Sequence, residues 1–142
     1  MHSEPGSDTI KHSAFLTFTA ILCLLIGVGL WINPRWLMYA YGLNPHPSSM
    51  VLGRILGAMG VGAAVMFWQA RNVSRSPGLK AILWGGLVAN LSNAVVVSRI
   101  TQMGWINSSN GWVMVLVHFV LAIGFAYCLF GNKLTQEEGI LP

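Results

Sequence analysis

Arg54, Asn90, Asn93, Arg99 and His118 are the side chains of this 142-residue sequence whose types and places suit recognition or proton chemistry. An amide pair three residues apart can hold a carbonyl or a hydroxyl, an arginine a headgroup or a carboxylate. A histidine can exchange a proton near neutral pH. An enzyme built from this set, with His118 as its catalytic candidate, would move a proton within a hydrophobic substrate by isomerisation, enolisation or ring closure. The same five residues serve equally well as ligand-binding groups without catalysis, as a contact for a partner subunit, or as hydrogen bonds between helices. Such bonds contribute only about 0.6 kcal/mol each in lipid, but they fix register.

The acids are confined to the ends, Glu4, Asp8, Glu137 and Glu138, so no carboxylate stands between residues 9 and 136. That excludes paired-carboxylate catalysis, a carboxylate metal cage and an acid-based proton relay. Cys23 and Cys128 lie in apolar stretches with no CxxC spacing, which makes them small hydrophobes rather than redox or zinc thiolates. His2, His12 and His46 fall in the tail or loops, and His118 has no second ligand at metal spacing. With no P-loop, GxSxG, HExxH or dinucleotide fingerprint, the expectation is no metal and no cofactor.

The elements that must position these residues follow from composition. Apolar types make up 54% of the chain and charged residues 8%, against about 25% charged in an average soluble domain. A membrane-crossing helix needs about 20 mostly apolar residues. Four stretches qualify, at about 14–32, 50–68, 79–97 and 112–130, and short connections make each antiparallel to the next. The fold class is therefore all-α: an integral membrane protein with four transmembrane helices in an up-down bundle, one domain over 1–142 with short polar tails. The first stretch exceeds the apolar core of about 7 to 15 residues usual in a signal peptide, and Trp31 follows its small pair Gly27 and Gly29, so it reads as a retained helix.

Lys11, Arg71, Arg75, Lys80 and Lys133 collect on the N-terminal side, against Arg35, Arg54 and Arg99 opposite, which favours cytoplasmic termini. The net charge of +4 is dispersed over spans and loops, so it points to the lipid bilayer and not to nucleic acid. Trp31, Trp36, Tyr39, Tyr41, Trp105 and Trp112 belong to an interfacial aromatic belt on one side, Trp68 and Tyr127 on the other. Residues 33–43 read as a short interfacial helix begun after Pro34 and stopped by Gly42, either a connector or a lid, with Ser48 or Ser49 capping the second span.

In lipid, small residues mark the faces where helices meet. The second span carries the stripe Gly53, Gly57, Gly60 and Ala64, suited to packing on the third span or, through Gly53/Gly57, to a homodimer. The third span carries Ala81, Gly85 and Ala89, a stripe continued by Asn93; the fourth carries Ala122 and Ala126, continued back to His118. At about 1.5 Å per residue, Arg54 and Asn93 lie about 6 Å, and His118 about 9 Å, from the same membrane face, with Arg99 at its mouth. The five side chains thus share one half of the bilayer.

The Asn33-Pro34-Arg35 close of the first span, the Tyr41-Gly42-Leu43 turn and the Arg54-Ile55-Leu56-Gly57-Ala58 opening of the second resemble the DoxX-like group of small four-helix membrane proteins. The resemblance implies the fold and carries over no catalytic residue. Two functions are open on this reading. One is a non-catalytic accessory subunit, assembly factor or lipid-binding scaffold, whose partners are the bilayer, a lipophilic small molecule, a larger membrane complex or a second copy. The other is a small membrane-embedded isomerase or cyclase acting on a terpenoid, sterol, quinone or polyketide. A channel or transporter is disfavoured by the lack of an intramembrane acid. The charge bias makes a direct prediction: in a glycosylating host, Asn107-Ser108-Ser109 acquires a glycan and Asn72-Val73-Ser74 stays bare, and a gel shift abolished only by Asn107→Gln checks it.

Overall fold

The computed structural model describes residues 6–40 and 42–137; the tail residues 1–5 and 138–142, and Tyr41 of the interfacial segment, lie outside it. The elements are α1 (Gly6–Ile32), α2 (Pro34–Ala40), α3 (Pro47–Ala70), α4 (Pro77–Gln102) and α5 (Ser108–Glu137), with no strand among the described residues. Four stretches, His12–Ile32, Pro47–Ala70, Pro77–Gln102 and Ser109–Gly131, are long and apolar enough to cross a membrane, and the chain is an integral multi-pass membrane protein.

The helices are longer than the apolar runs alone indicate, because local chemistry sets their ends. Three begin with proline, Pro34, Pro47 and Pro77, where the missing N–H is not needed and the fixed φ suits the first turn. Ser76 caps α4 by accepting a hydrogen bond from the Leu79 amide at 3.2 Å. At α3 the expectation of a Ser48 or Ser49 cap is corrected. The helix starts at Pro47 with His46 at the cap position, and Ser49 reaches back to accept from the His46 amide at 2.9 Å. Pro47 supplies a preset φ there, so the helix starts ahead of both serines and its cap position falls on His46.

Helices α2 and α4 end alike. Gly42 and Gly104 both adopt φ +74, a left-handed conformation that costs glycine least. In each case the next residue's amide bonds five residues back, Leu43 to Met38 at 2.9 Å and Trp105 to Ile100 at 3.0 Å. These paired bonds satisfy carbonyls that a helix end would otherwise leave open.

The bundle is assembled from two antiparallel hairpins, α1 with α3 and α4 with α5. The first pair is backbone on backbone. A Cβ at Gly57 would lie 2.7 Å from the Gly27 carbonyl oxygen, and one at Gly27 would lie 2.8 Å from the Val61 amide nitrogen. The stripe on the second span therefore meets the first span, not the third, and Gly53 and Gly57 are covered within the chain by Met38, Pro34 and α1. The short helix α2 buries Pro34 and Met38 into that end of the hairpin.

The second pair interlocks side chains with glycines: Phe125 of α5 occupies the space beside Gly86 of α4, and Thr101 of α4 that beside Gly111 of α5. Phe125 also joins the hairpins. Fully buried, it meets Phe15 of α1 edge-on at 5.0 Å and Phe67 of α3 at 5.4 Å. Around it gather Leu16, Ala20, Ala70, Leu79, Leu83, Leu87 and Ala122, all toward the N-terminal side. At the other end the Asn110 amide donates to the Ala40 carbonyl at 3.2 Å, linking α5 to α2. Large apolar side chains such as Leu25, Met59 and Val95 stay more than half exposed, as a lipid-facing surface requires.

Gly57→Leu is expected to lower the thermal midpoint in detergent, with a loss of about 1–3 kcal/mol typical of overpacking. Gly62→Leu is the control, since nothing lies within 4 Å of a Cβ there. Equal melting of the two variants would contradict the α1/α3 contact.

Candidate functional site

Between the two hairpins runs a cleft of about 540 Å³ to which all four long helices contribute. Its walls are mostly aliphatic: Leu22 and Ile26 of α1, Leu56 and Met66 of α3, Val113 and Val117 of α5. The phenylalanine cluster closes it on the N-terminal side, where Phe67 and Leu121 belong to both lining and core. Small residues make the space. Gly85 and Ala89 of α4 face it, and nothing stands within 4 Å of a Cβ built on Gly85. The small stripe of the third span thus borders an opening instead of sealing a helix contact.

An amide and an imidazole meet where α4 and α5 form this wall. His118 Nδ1 lies 3.0 Å from Asn90 Oδ1, and Asn90 Nδ2 donates to the Gly86 carbonyl at 2.8 Å. The direction of the chain of bonds is fixed by chemistry. A carbonyl only accepts, so the Asn90 group facing Gly86 must be the NH₂, and its oxygen must face the imidazole. His118 therefore carries its proton on Nδ1 and, in the neutral ring, a bare lone pair on Nε2. Both ends of the Asn90 amide are satisfied, as depth in lipid demands. Nε2 has no hydrogen-bond partner among the described residues.

The pair sits deeper than the short spans implied. Asn90 is twelve residues from the Gln102 end of α4, about 18 Å at 1.5 Å per residue, and His118 is about 14 Å from Ser109. Both are near mid-helix. Asn93, one turn from Asn90 toward the far face, also lines the cleft and has no hydrogen-bond partner among the described residues. Thr19 lines it too, but its hydroxyl donates to the Phe15 carbonyl at 2.9 Å.

The structure thus brings together Asn90, Asn93 and His118, and places the two arginines elsewhere. Arg54 is exposed; with Leu56, Gly60, Ala63 and Phe67 turned to the cleft, helical periodicity puts it on the reverse face of α3. There it can snorkel along the helix toward headgroups. Arg99 is exposed in the last turn of α4, 3.5 Å from Gln102 Oε1. Cys23 lines the cleft as a free, half-buried thiol, and Cys128 is likewise free. Among the described residues no three of His, Cys, Asp and Glu gather as a metal site.

Gly86 is the member of the site that sequence reasoning passed over. Its signal was the spacing Gly86-x-x-x-Asn90, since an asparagine inside a helix can turn back to the carbonyl four residues earlier. A shallower groove of about 420 Å³, lined by Ala20, Ile21, Leu24, Ala64, Val65 and Trp68, has almost no polar lining. No family model, no curated protein and no solved structure matches the chain.

The hydrogen-bond chain makes a double prediction. A cycle of Asn90→Ala, His118→Ala and the double variant is expected to give a coupling of about 0.6 kcal/mol, up to about 1.7 kcal/mol, the range for such pairs in bilayers. In ¹⁵N spectra of histidine-labelled protein at neutral pH, the His118 signal should show a protonated Nδ1 and a bare Nε2. Additive variants together with the opposite tautomer would show that the two side chains are not bonded.

Proposed function

We propose that this is a non-catalytic membrane protein that holds a lipophilic small molecule between its two helix hairpins, a lipid-binding scaffold. The observation that carries the reading is an apolar cleft whose α4/α5 wall carries Asn90, Asn93 and His118, while the hydroxyl opposite, that of Thr19, donates its proton within its own helix. Ligand sites are typically concave, about 300–1,000 Å³, mostly apolar, and supplied with a few convergent polar groups. The cleft falls within that size, and its polar wall is Asn90, Asn93 and His118. Polar side chains at such depth are costly and mark functional places more often than lipid-facing ones. The Lys and Arg distribution supports cytoplasmic termini, and the DoxX-like resemblance of residues 33–35, 41–43 and 54–58 is compatible with a small scaffold of this kind.

A second reading rests on His118 Nε2. A fixed lone pair facing a lipophilic substrate is suited to accept a proton at one carbon and return it at another, the chemistry of an isomerase or cyclase. On that reading His118→Ala folds as the wild type does and loses turnover altogether.

Native mass spectrometry of the protein extracted from its own membrane in mild detergent tests the scaffold. Wild-type protein is expected to retain one discrete lipophilic adduct, and Gly85→Phe to fold with the same melting midpoint and lose it, because the new ring fills the cleft. Heterogeneous lipid carried equally by both proteins would overturn the reading. So would a stoichiometric complex with a larger assembly and an empty cleft.

A further inference from the structure

We infer that the molecule held in this cleft is a hydrogen-bond donor, an alcohol or phenol on a hydrophobic body, and not a ketone, ether or ester. The inference deepens the scaffold reading and rests on it. The cleft wall has a definite hydrogen-bonding sense. Asn90 is used at both ends, by Gly86 and by His118, and the Thr19 hydroxyl is spent on the Phe15 carbonyl. What has no partner at all is the His118 Nε2 lone pair, which in the neutral ring can only accept, and the amide of Asn93, which can donate or accept; the second N–H of Asn90 and the lone pairs of the Thr19 oxygen add one donor and one acceptor that are already anchored. A hydroxyl has the complement of both groups, a proton to donate to Nε2 and lone pairs to accept from the Asn93 NH₂. A carbonyl or ether oxygen can satisfy Asn93 alone and leaves Nε2 desolvated and unpaired.

That asymmetry is the basis of selection. An unmatched buried polar group loses the full value of its lost hydration, which makes a site discriminate more strongly than its hydrogen bond alone suggests. The sense of the site is set one turn away, by the Gly86 carbonyl, through Asn90 to the imidazole. Asn90 is on this account a positioning residue. Replacing it with leucine leaves His118 in place but frees the ring to exchange tautomers, so that either nitrogen can present an N–H.

The test uses the full-length protein in lipid nanodiscs and matched probes: farnesol with farnesyl methyl ether, and 4-nonylphenol with 4-nonylanisole. Binding is read by native mass spectrometry titration. The alcohol and the phenol are expected to bind roughly five to a hundred times more tightly than their methyl ethers, the ratio that leaving one buried acceptor unpaired confers. His118→Phe should bind each ether as wild type does and lose the preference, and Asn90→Leu should reduce it. Melting midpoints and Gly85→Phe as a filled-cleft control separate these effects from misfolding. If every probe binds Gly85→Phe and wild type alike, the cleft is not the site and the scaffold reading fails. If all four bind wild type alone but without preference, the scaffold stands and the donor inference is overturned. A preference confined to one of the two pairs tells a terpenoid-like alcohol from a phenol or quinol.

Discussion

Phe125 is the contact on which the rest of this bundle depends. Its ring is fully buried, seated beside Gly86, edge-on to Phe15 and against Phe67, so one side chain of α5 reaches the other three long helices. In lipid there is little hydrophobic gain from bringing helices together, and close packing has to supply the association. Within each hairpin that packing is achieved by glycine. Between hairpins it is achieved by this aromatic cluster, which gathers toward the N-terminal side. Toward the other side the hairpins are linked through α2, by Asn110 and the Ala40 carbonyl. The space between these two attachments is the cleft.

The polar chain of Gly86, Asn90 and His118 is built on the same residues that build the packing. Gly86 gives Phe125 room with its missing side chain and orients Asn90 with its carbonyl. A substitution there would disturb the core and the cleft wall together. The arrangement also explains how a histidine can sit near mid-helix with no acid in the span. Its one donor is paired with an amide whose oxygen it meets and whose NH₂ is anchored to backbone, so the imidazole presents only its Nε2 lone pair to the cleft wall it shares with Asn93.

Composition and spacing alone determined that the chain is an all-helical, four-span membrane protein, because 8% charged residues and four apolar runs leave no soluble alternative. They also pointed to a short helix after Pro34 with Gly42 beyond its end; the helix takes in Pro34 itself and runs to Ala40, since a preset φ and a left-handed glycine act locally. The starts at Pro47 and Pro77 were equally local and were legible in the prolines, although hydropathy by itself set them two or three residues late. Tertiary structure decided which small stripe met which helix. Gly53, Gly57 and Gly60 form the same ridge whether they face the first span, the third or another copy; in the fold Gly57 and Gly60 lie on the backbone around Gly27, and Gly53 lies under Met38 and Pro34. It also decided which of the five polar residues meet. Depth along a helix can be counted from a sequence, but the direction a side chain faces depends on where its neighbours pack. Arg54 and His118 were close in depth yet lie on opposite sides of their hairpins' walls, one toward lipid and one toward the cleft.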